Sequence, residues 1–228
     1  MRALFRPILA GATLPDRLVA CLGALVGIAL TVFVCAGLGL SLADAPAVAA
    51  PIGASAVLIF AVPASPLAQH WPVVGGNTLS AVVGIALVQT LGPTPLAAGL
   101  AVAGAILLMS LMRCLHPPGG AAALTAVIGG PAVVQAGWSF AVAPMATNAV
   151  LLAAIGWCFH YFSGHTYPHR AAPARPQPAF LPEDLDRALE AEHETFDIAR
   201  EDLERLLARV EAEAALRRAQ PSPSRRAP

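Results

Sequence analysis

Lysine is absent from this chain: all 14 basic residues are arginine, and they are matched by 14 acidic ones. Charge of either sign is scarce over a long stretch. From Leu18 to Pro168 there is one arginine, Arg113, and one acidic residue, Asp44. Charged residues make up 12% of the chain, against about 25% in an ordinary soluble domain, and 57% of residues are hydrophobic. A soluble globular body is thereby excluded. Cysteine is scarce as well. Cys21, Cys35, Cys114 and Cys158 lie in apolar surroundings, at spacings that fit neither a zinc site nor a redox dithiol. They read as small buried hydrophobes. His160, His165 and His169 are spaced too irregularly for a metal site. No nucleophile–base pair and no phosphate loop stands out, so neither an enzyme nor a cofactor is expected, and no nucleic-acid partner.

What is present is segregated. Of the 14 acidic residues, 12 lie between Glu183 and Glu213. The chain divides into a basic leader (1–17), an apolar body (18–167), a proline-rich linker (168–182), a charged helical tail (183–219) and a disordered end (220–228). Within the body, Leu18–Leu42 is long enough to cross about 30 Å of hydrocarbon as a helix. It is too long for a signal-peptide core, although Ala47-Val48-Ala49 resembles a cleavage site. Gly76–Leu91, Leu96–Met112 and Trp138–Phe162 are further spans, the last with aromatic residues toward its ends. The expected fold is an all-α polytopic membrane protein. It has four long helices plus two short, broken or re-entrant segments, followed by an amphipathic helix.

The short segments are the unusual part. Arg113-Cys114-Leu115-His116-Pro117-Pro118-Gly119-Gly120 interrupts apolar sequence with residues that stop and restart a helix. Pro51-Ile52-Gly53-Ala54-Ser55-Ala56-Val57-Leu58 resembles Pro117–Leu124, 66 residues later. Each copy follows a long apolar span and precedes another with an Asn near its start, Asn77 or Asn148. Short Gly/Pro-interrupted segments at matching positions of two halves point to a transporter binding site. Close packing of small residues accounts for the same glycines.

The candidate residues follow from that reading. His116 and Arg113 would supply positive character. Gly119, Gly120 and Gly53 would expose backbone N–H groups at the starts of short helices, where anions bind. Ser55, Asn77 and Asn148 would line the pathway or bond between helices. The ligand is then a small anion, and the bilayer is the other partner.

Arginines flank both ends of the body, which places both termini in the cytoplasm and makes the number of crossings even. Four crossings result if the short segments are re-entrant, six in inverted halves if they cross. In the tail, Leu185, Leu189, Phe196, Ala199, Leu203, Leu206 and Val210 recur at helical spacing, with a break near Asp197. This face would pack on the body, on a second copy or on a cytoplasmic partner.

The motif Arg-x-Leu-His-Pro-Pro-Gly-Gly-Ala-x-Ala-Leu at 113–124 resembles the signature of the HPP family of integral membrane proteins. Gly53–Leu58, Ala64–Gln69 and Val74–Asn77 are similar to that family too, so the resemblance covers roughly residues 15–168. It implies a membrane domain usually described with four transmembrane helices. Some plastid and cyanobacterial members are associated with nitrite transport, so the resemblance implies a nitrite-like substrate and, in a bacterium, the inner membrane. Many bacterial members carry a linker helix and then a CBS-domain pair. Residues 181–218 resemble that linker helix, and this chain ends before such a pair would fit. The alternative function is a membrane-embedded scaffold or sensor whose tail recruits a partner.

Overall fold

The computed structural model describes residues 13–37, 46–170, 180–192 and 196–219, with backbone only at 46–49 and 219. Most of the leader, the end of the first span, most of the proline-rich linker and the terminal segment expected to be disordered lie outside the described residues. Those described are helical, with no strand among them. They fall into two units, 1–169 and 170–228.

In the first unit, α1 (Leu14–Gly37) is followed by α2 (Pro46–Ala61), α3 (Asn77–Leu91), α4 (Pro95–Leu111), α5 (Pro117–Ile128), the short α6 (Pro131–Ala136) and α7 (Thr147–Ser163). α3 grows out of a π-helical turn that contains a proline, Pro72–Gly76, and α7 follows a second proline-bearing turn, Ala141–Ala146, which is kinked at the extended residue Ala143 (φ −126°, ψ 103°). Among the described residues, three stretches are long and apolar enough to cross a membrane: Leu14–Gly37, Pro72–Leu91 and Ala141–Ser163. The fourth expected span, α4, has 17 residues. The short segments α2 and α5 have 16 and 12 residues. At 1.5 Å per residue they measure about 24 and 18 Å, less than the hydrocarbon thickness.

Local chemistry sets the helix starts. Thr94 caps α4 by accepting the Ala97 N–H at 3.2 Å, with Pro95 in the first turn, where a missing N–H costs nothing. Pro117 and Pro118 open α5 in the same way. A residue before proline is pushed out of the helical region, and His116 is extended at φ −143°, ψ 106°. The sharp turn from α4 into this segment is made at Arg113, whose φ of 53° is left-handed.

Apart from the short α6, the chain changes ends with each helix of this unit. Trp71 Nε1 donates to the Met112 carbonyl at 3.0 Å, joining the approach to α3 to the end of α4. His160 Nε2 donates to the Ile59 carbonyl at 2.9 Å, joining the ends of α7 and α2. Gly23, early in α1, lies against Phe60 and Phe159 at those same ends. At the opposite end, Gly137 approaches Gln89 at the end of α3. The short segments therefore lead from one end of the bundle to the other, rather than returning to the end they left. The two three-helix halves run in opposite directions, and α1 starts at the end where α7 finishes. This reversal of ends is the arrangement expected of inverted halves.

The halves also interlock. The last helix of each packs with the first two of the other: α3 with α4 and α5, and α7 with α1 and α2. Each of these helices also touches the π-helical turn of its counterpart, and α2 meets α5 across the middle. Small residues permit this. Ala97, Ala101 and Ala105 of α4 are fully buried at four-residue spacing, the close-packing stripe of membrane helices. The outside is apolar, with Phe33 75%, Leu107 62% and Phe162 83% exposed, as suits a lipid-facing surface.

The second unit contains α8 (Pro182–Glu192) and α9 (Arg200–Ala219), so the tail is broken in the region of Asp197, as its periodicity predicts. Arg200 clasps α8. Its guanidinium bonds both carboxylate oxygens of Asp186, at 2.8 and 3.0 Å, and the Pro182 carbonyl at 3.1 Å.

Candidate functional site

The first-half residue Ser55 and the second-half residue His116 meet where α2, α3 and α5 come together. Ser55 lies 2.8 Å from His116 Nε2, and Asn77 Nδ2 donates to Ser55 Oγ at 3.0 Å. All three side chains are completely buried. Local geometry delivers each one. The extended backbone forced by Pro117 presents His116 ahead of α5. The π-helical turn starts α3 at Asn77. Gly76 lets the start of α3 lie directly on the histidine, since a Cβ there would stand 2.5 Å from His116 Cβ and 2.8 Å from the Cys114 carbonyl.

Hydrogen bookkeeping within this cluster is tight. His116 Nδ1 is 2.8 Å from the Leu67 carbonyl, which can only accept, so Nδ1 carries a hydrogen. Asn77 Nδ2 also faces the Val73 carbonyl at 2.9 Å, which fixes the orientation of the amide. Ser55 accepts from Asn77 and has one hydrogen to give. Two acceptors lie within its reach: the Pro51 carbonyl at 2.9 Å and His116 Nε2 at 2.8 Å. If Ser55 donates to Nε2, the imidazole is neutral. If Ser55 donates to Pro51, Nε2 must itself donate to Ser55, and the imidazole carries two hydrogens and a positive charge. The same heavy-atom positions serve both states.

The cluster is not fully satisfied. Asn77 Oδ1 and Ser80 Oγ are buried without a hydrogen-bond partner among the described residues, as is Thr78 Oγ1 beside them. Asn77 and Ser80 are 0% exposed. An orphaned buried polar group costs about 1–3 kcal/mol; of these three on α3, the Thr78 and Ser80 hydroxyls have a hydrogen to give to an anion or water, whereas Asn77 Oδ1 can only accept. Ser80 was not a candidate from sequence. Its position three residues after Asn77, on the same helix face, is the signal that could have found it. The Leu67 carbonyl, also missed, has no sequence signal, because any residue supplies one.

The remaining candidates fall differently. The expected pair of helix N-termini is absent. α2 begins at Pro46, so Gly53 lies in its interior with its N–H inside the helix. At α5 the first two positions are prolines without N–H, and the Gly119 N–H is taken by the His116 carbonyl at 2.8 Å. Gly119 is instead a contact glycine. A Cβ there would stand 2.7 Å from Ser80 Oγ, 2.8 Å from the Gly76 carbonyl and 2.8 Å from Met109 Sδ. Gly120 has room, with Val102 Cγ1 at 3.9 Å. Arg113 is exposed on the α4–α5 turn rather than buried with His116. Asn148 is buried on α7, where its Oδ1 accepts from Cys35 Sγ of α1 at 2.6 Å. That contact is interhelical bonding, separate from the cluster.

The segment after α7 folds back on the 62–71 connection that carries Leu67. The Tyr167 hydroxyl donates to the Ala68 carbonyl at 2.9 Å, and the His169 N–H to Gln69 Oε1 at 2.8 Å. Burial raises the Tyr167 phenol above its usual pKa and lowers that of His70.

A model of the HPP transmembrane region matches residues 10–168. The chain belongs to the HPP family. A Dictyostelium discoideum protein named only as a transmembrane protein is 44% identical over 106 residues, which is 43% of this chain and 36% of that protein. A second, similarly named protein from the same organism is 51% identical over 79 residues, 33% of this chain and 25% of its own length. This chain thus matches only about a third or less of these curated relatives. No solved structure matches. The HPP protein is a multi-pass membrane protein by family and by its apolar helices.

Proposed function

We propose that this HPP protein carries a small monovalent anion across the bacterial inner membrane, with both termini cytoplasmic and nitrite the first substrate to test. The observation that carries the reading is the buried, incompletely satisfied cluster of Ser55, Asn77, Ser80 and His116 at the meeting of two inverted halves. Polar groups inside a membrane protein are costly and tend to serve a solute path. The cluster lies at the start of α5, whose positive end favours a negative ligand. Arg113 is the one cation between Arg17 and Arg170. Exposed at the bundle end, it would draw anions toward the path.

Uptake by proteoliposomes holding the full chain, with nitrite, nitrate, formate and chloride run in parallel, tests this. Nitrite uptake above protein-free vesicles is expected, and His116→Ala should abolish it without reducing membrane insertion. Full uptake by that variant would remove His116 from the mechanism.

A second reading, a membrane-embedded scaffold or sensor, is favoured by one observation: α9 exposes Leu206, Val210 and Leu216 at 53%, 56% and 61%. This apolar set suits a cytoplasmic partner or a second copy of the chain. Deleting residues 180–228 separates the readings, because a transporter keeps most of its flux and a scaffold loses its function.

A further inference from the structure

We infer that the anion travels together with one proton, held on His116 while the anion is bound, so that transport is electroneutral. This rests on the anion reading above and adds the coupling ion. Among the described residues, no arginine side chain is a hydrogen-bond partner of the Ser55–Asn77–His116 cluster. Between Asp44 and Arg170 the sequence has no Asp, Glu, Lys or Arg except Arg113, which is exposed. A lone charge at membrane depth is costly, and one of opposite sign beside it offsets that cost. His116 is the group in the cluster able to provide it.

The titratable groups on the elements around His116 are few. Ser55 and Pro51 face it from α2, and the Leu67 carbonyl from the 62–71 connection, which also carries His70. Gly76 and Asn77 face it from α3 and its π-helical turn. The α4 side contributes Met109 and the buried thiol of Cys114. Tyr167 reaches only the neighbouring Ala68 carbonyl. None of these supplies a fixed charge.

The site is already built for the change. In the empty state Ser55 donates to Nε2. When a proton arrives on Nε2, the Ser55 hydroxyl turns to the Pro51 carbonyl, 2.9 Å away, and Nε2 donates to Ser55 instead. No hydrogen of Ser55 or His116 is left unpaired by the change, and no heavy atom need move. One proton and one anion enter, and both leave on the far side, where the hydroxyl turns back. The Asn77 amide stays on Ser55 Oγ in both states, holding the pivot still.

The test uses the full chain in proteoliposomes with an internal pH dye, the membrane potential clamped with valinomycin and potassium. Nitrite is added outside, and protein-free vesicles are subtracted to remove passive entry of nitrous acid. The expected result is one proton taken up per nitrite, at a rate unchanged by the clamped potential and increased by an inward proton gradient. Nitrite uptake that responds to potential without internal acidification would overturn the coupling and leave the anion reading standing. No protein-dependent uptake of nitrite, nitrate, formate or chloride would overturn both. His116→Gln keeps an amide donor but cannot take up a proton, and should lower proton-coupled uptake at least about tenfold. If it instead keeps one proton per nitrite at the wild-type rate, the proton does not reside on His116 and the inference fails.

Discussion

Two adjacent glycines of one motif should respond to the same substitution in opposite directions. At Gly119, an added methyl would meet Ser80 Oγ at 2.7 Å, and both the Gly76 carbonyl and Met109 Sδ at 2.8 Å. The methionine sulfur can yield. The Gly76 carbonyl cannot, because Gly76 is itself pressed against His116 and Cys114. The α3–α5 contact must therefore open. Overpacking of this kind costs up to about 3 kcal/mol, offset by about 1 kcal/mol of helix preference for Ala over Gly. The net loss is about 2 kcal/mol. At Gly120, nothing but Val102 Cγ1 at 3.9 Å is near, and Ala should gain up to about 1 kcal/mol. For a chain of this size a kcal/mol moves the thermal midpoint by about 2–4 °C. G119A should fall by about 4–8 °C and G120A rise by about 2–4 °C. The assay is the fraction of detergent-solubilised protein that stays monodisperse after heating, with each variant expressed at full length. A G119A midpoint at or above wild type, or a common direction of shift for both variants, would refute the packing account.

The cluster yields further tests on the same assay and on uptake. Ser55→Ala leaves the Asn77 amide and His116 Nε2 short of a partner, so stability should drop by about 1–3 kcal/mol; an unchanged midpoint argues against the network. Ser80→Ala removes an orphaned hydroxyl, so the protein should become neutral to more stable while nitrite uptake declines. Loss of stability with normal uptake would show that Ser80 is structural. In the tail, the Arg200 hydrogen bond holds the Asp186 carboxyl below its usual pKa. The folded value is the lower one, so the stabilisation is complete above the ordinary carboxylate pKa and is lost as pH falls through the depressed one. Hydrogen exchange of the α8 amides, corrected for intrinsic rate, should therefore rise below about pH 4, and Arg200→Ala should abolish that dependence.

Membrane class, helix order, the repeat and the break at His116 were all legible, because each is written in composition or in the residues that stop helices. Pro117 and Pro118 announced a helix start, and Thr94-Pro95 another. The site was only half legible. Ser55, Asn77 and His116 were readable as polar residues in apolar sequence, and they do converge. Asn148 has the same sequence signal but spends it on Cys35. Gly53 looked like the counterpart of a helix-opening glycine, yet α2 starts at Pro46, and a proline inside a helix looks the same in sequence as one that opens it.

By itself, then, the sequence determined that the body lies in a bilayer, since a stretch almost without charge can only be solvated by lipid. It also determined that only the second of the two related short segments is led by a histidine, His116, and that the tail is a separate charged helical unit. Tertiary structure decided what those parts do to one another. It inverted the halves, exchanged their third helices and brought Ser55 onto His116 from 61 residues away. It buried Ser80 without a partner among the described residues, and it pressed Gly119 against Ser80, Gly76 and Met109. These depend on distances between helices. Such distances are set by how closely Ala and Gly let backbones approach, and local propensity and pattern do not encode them.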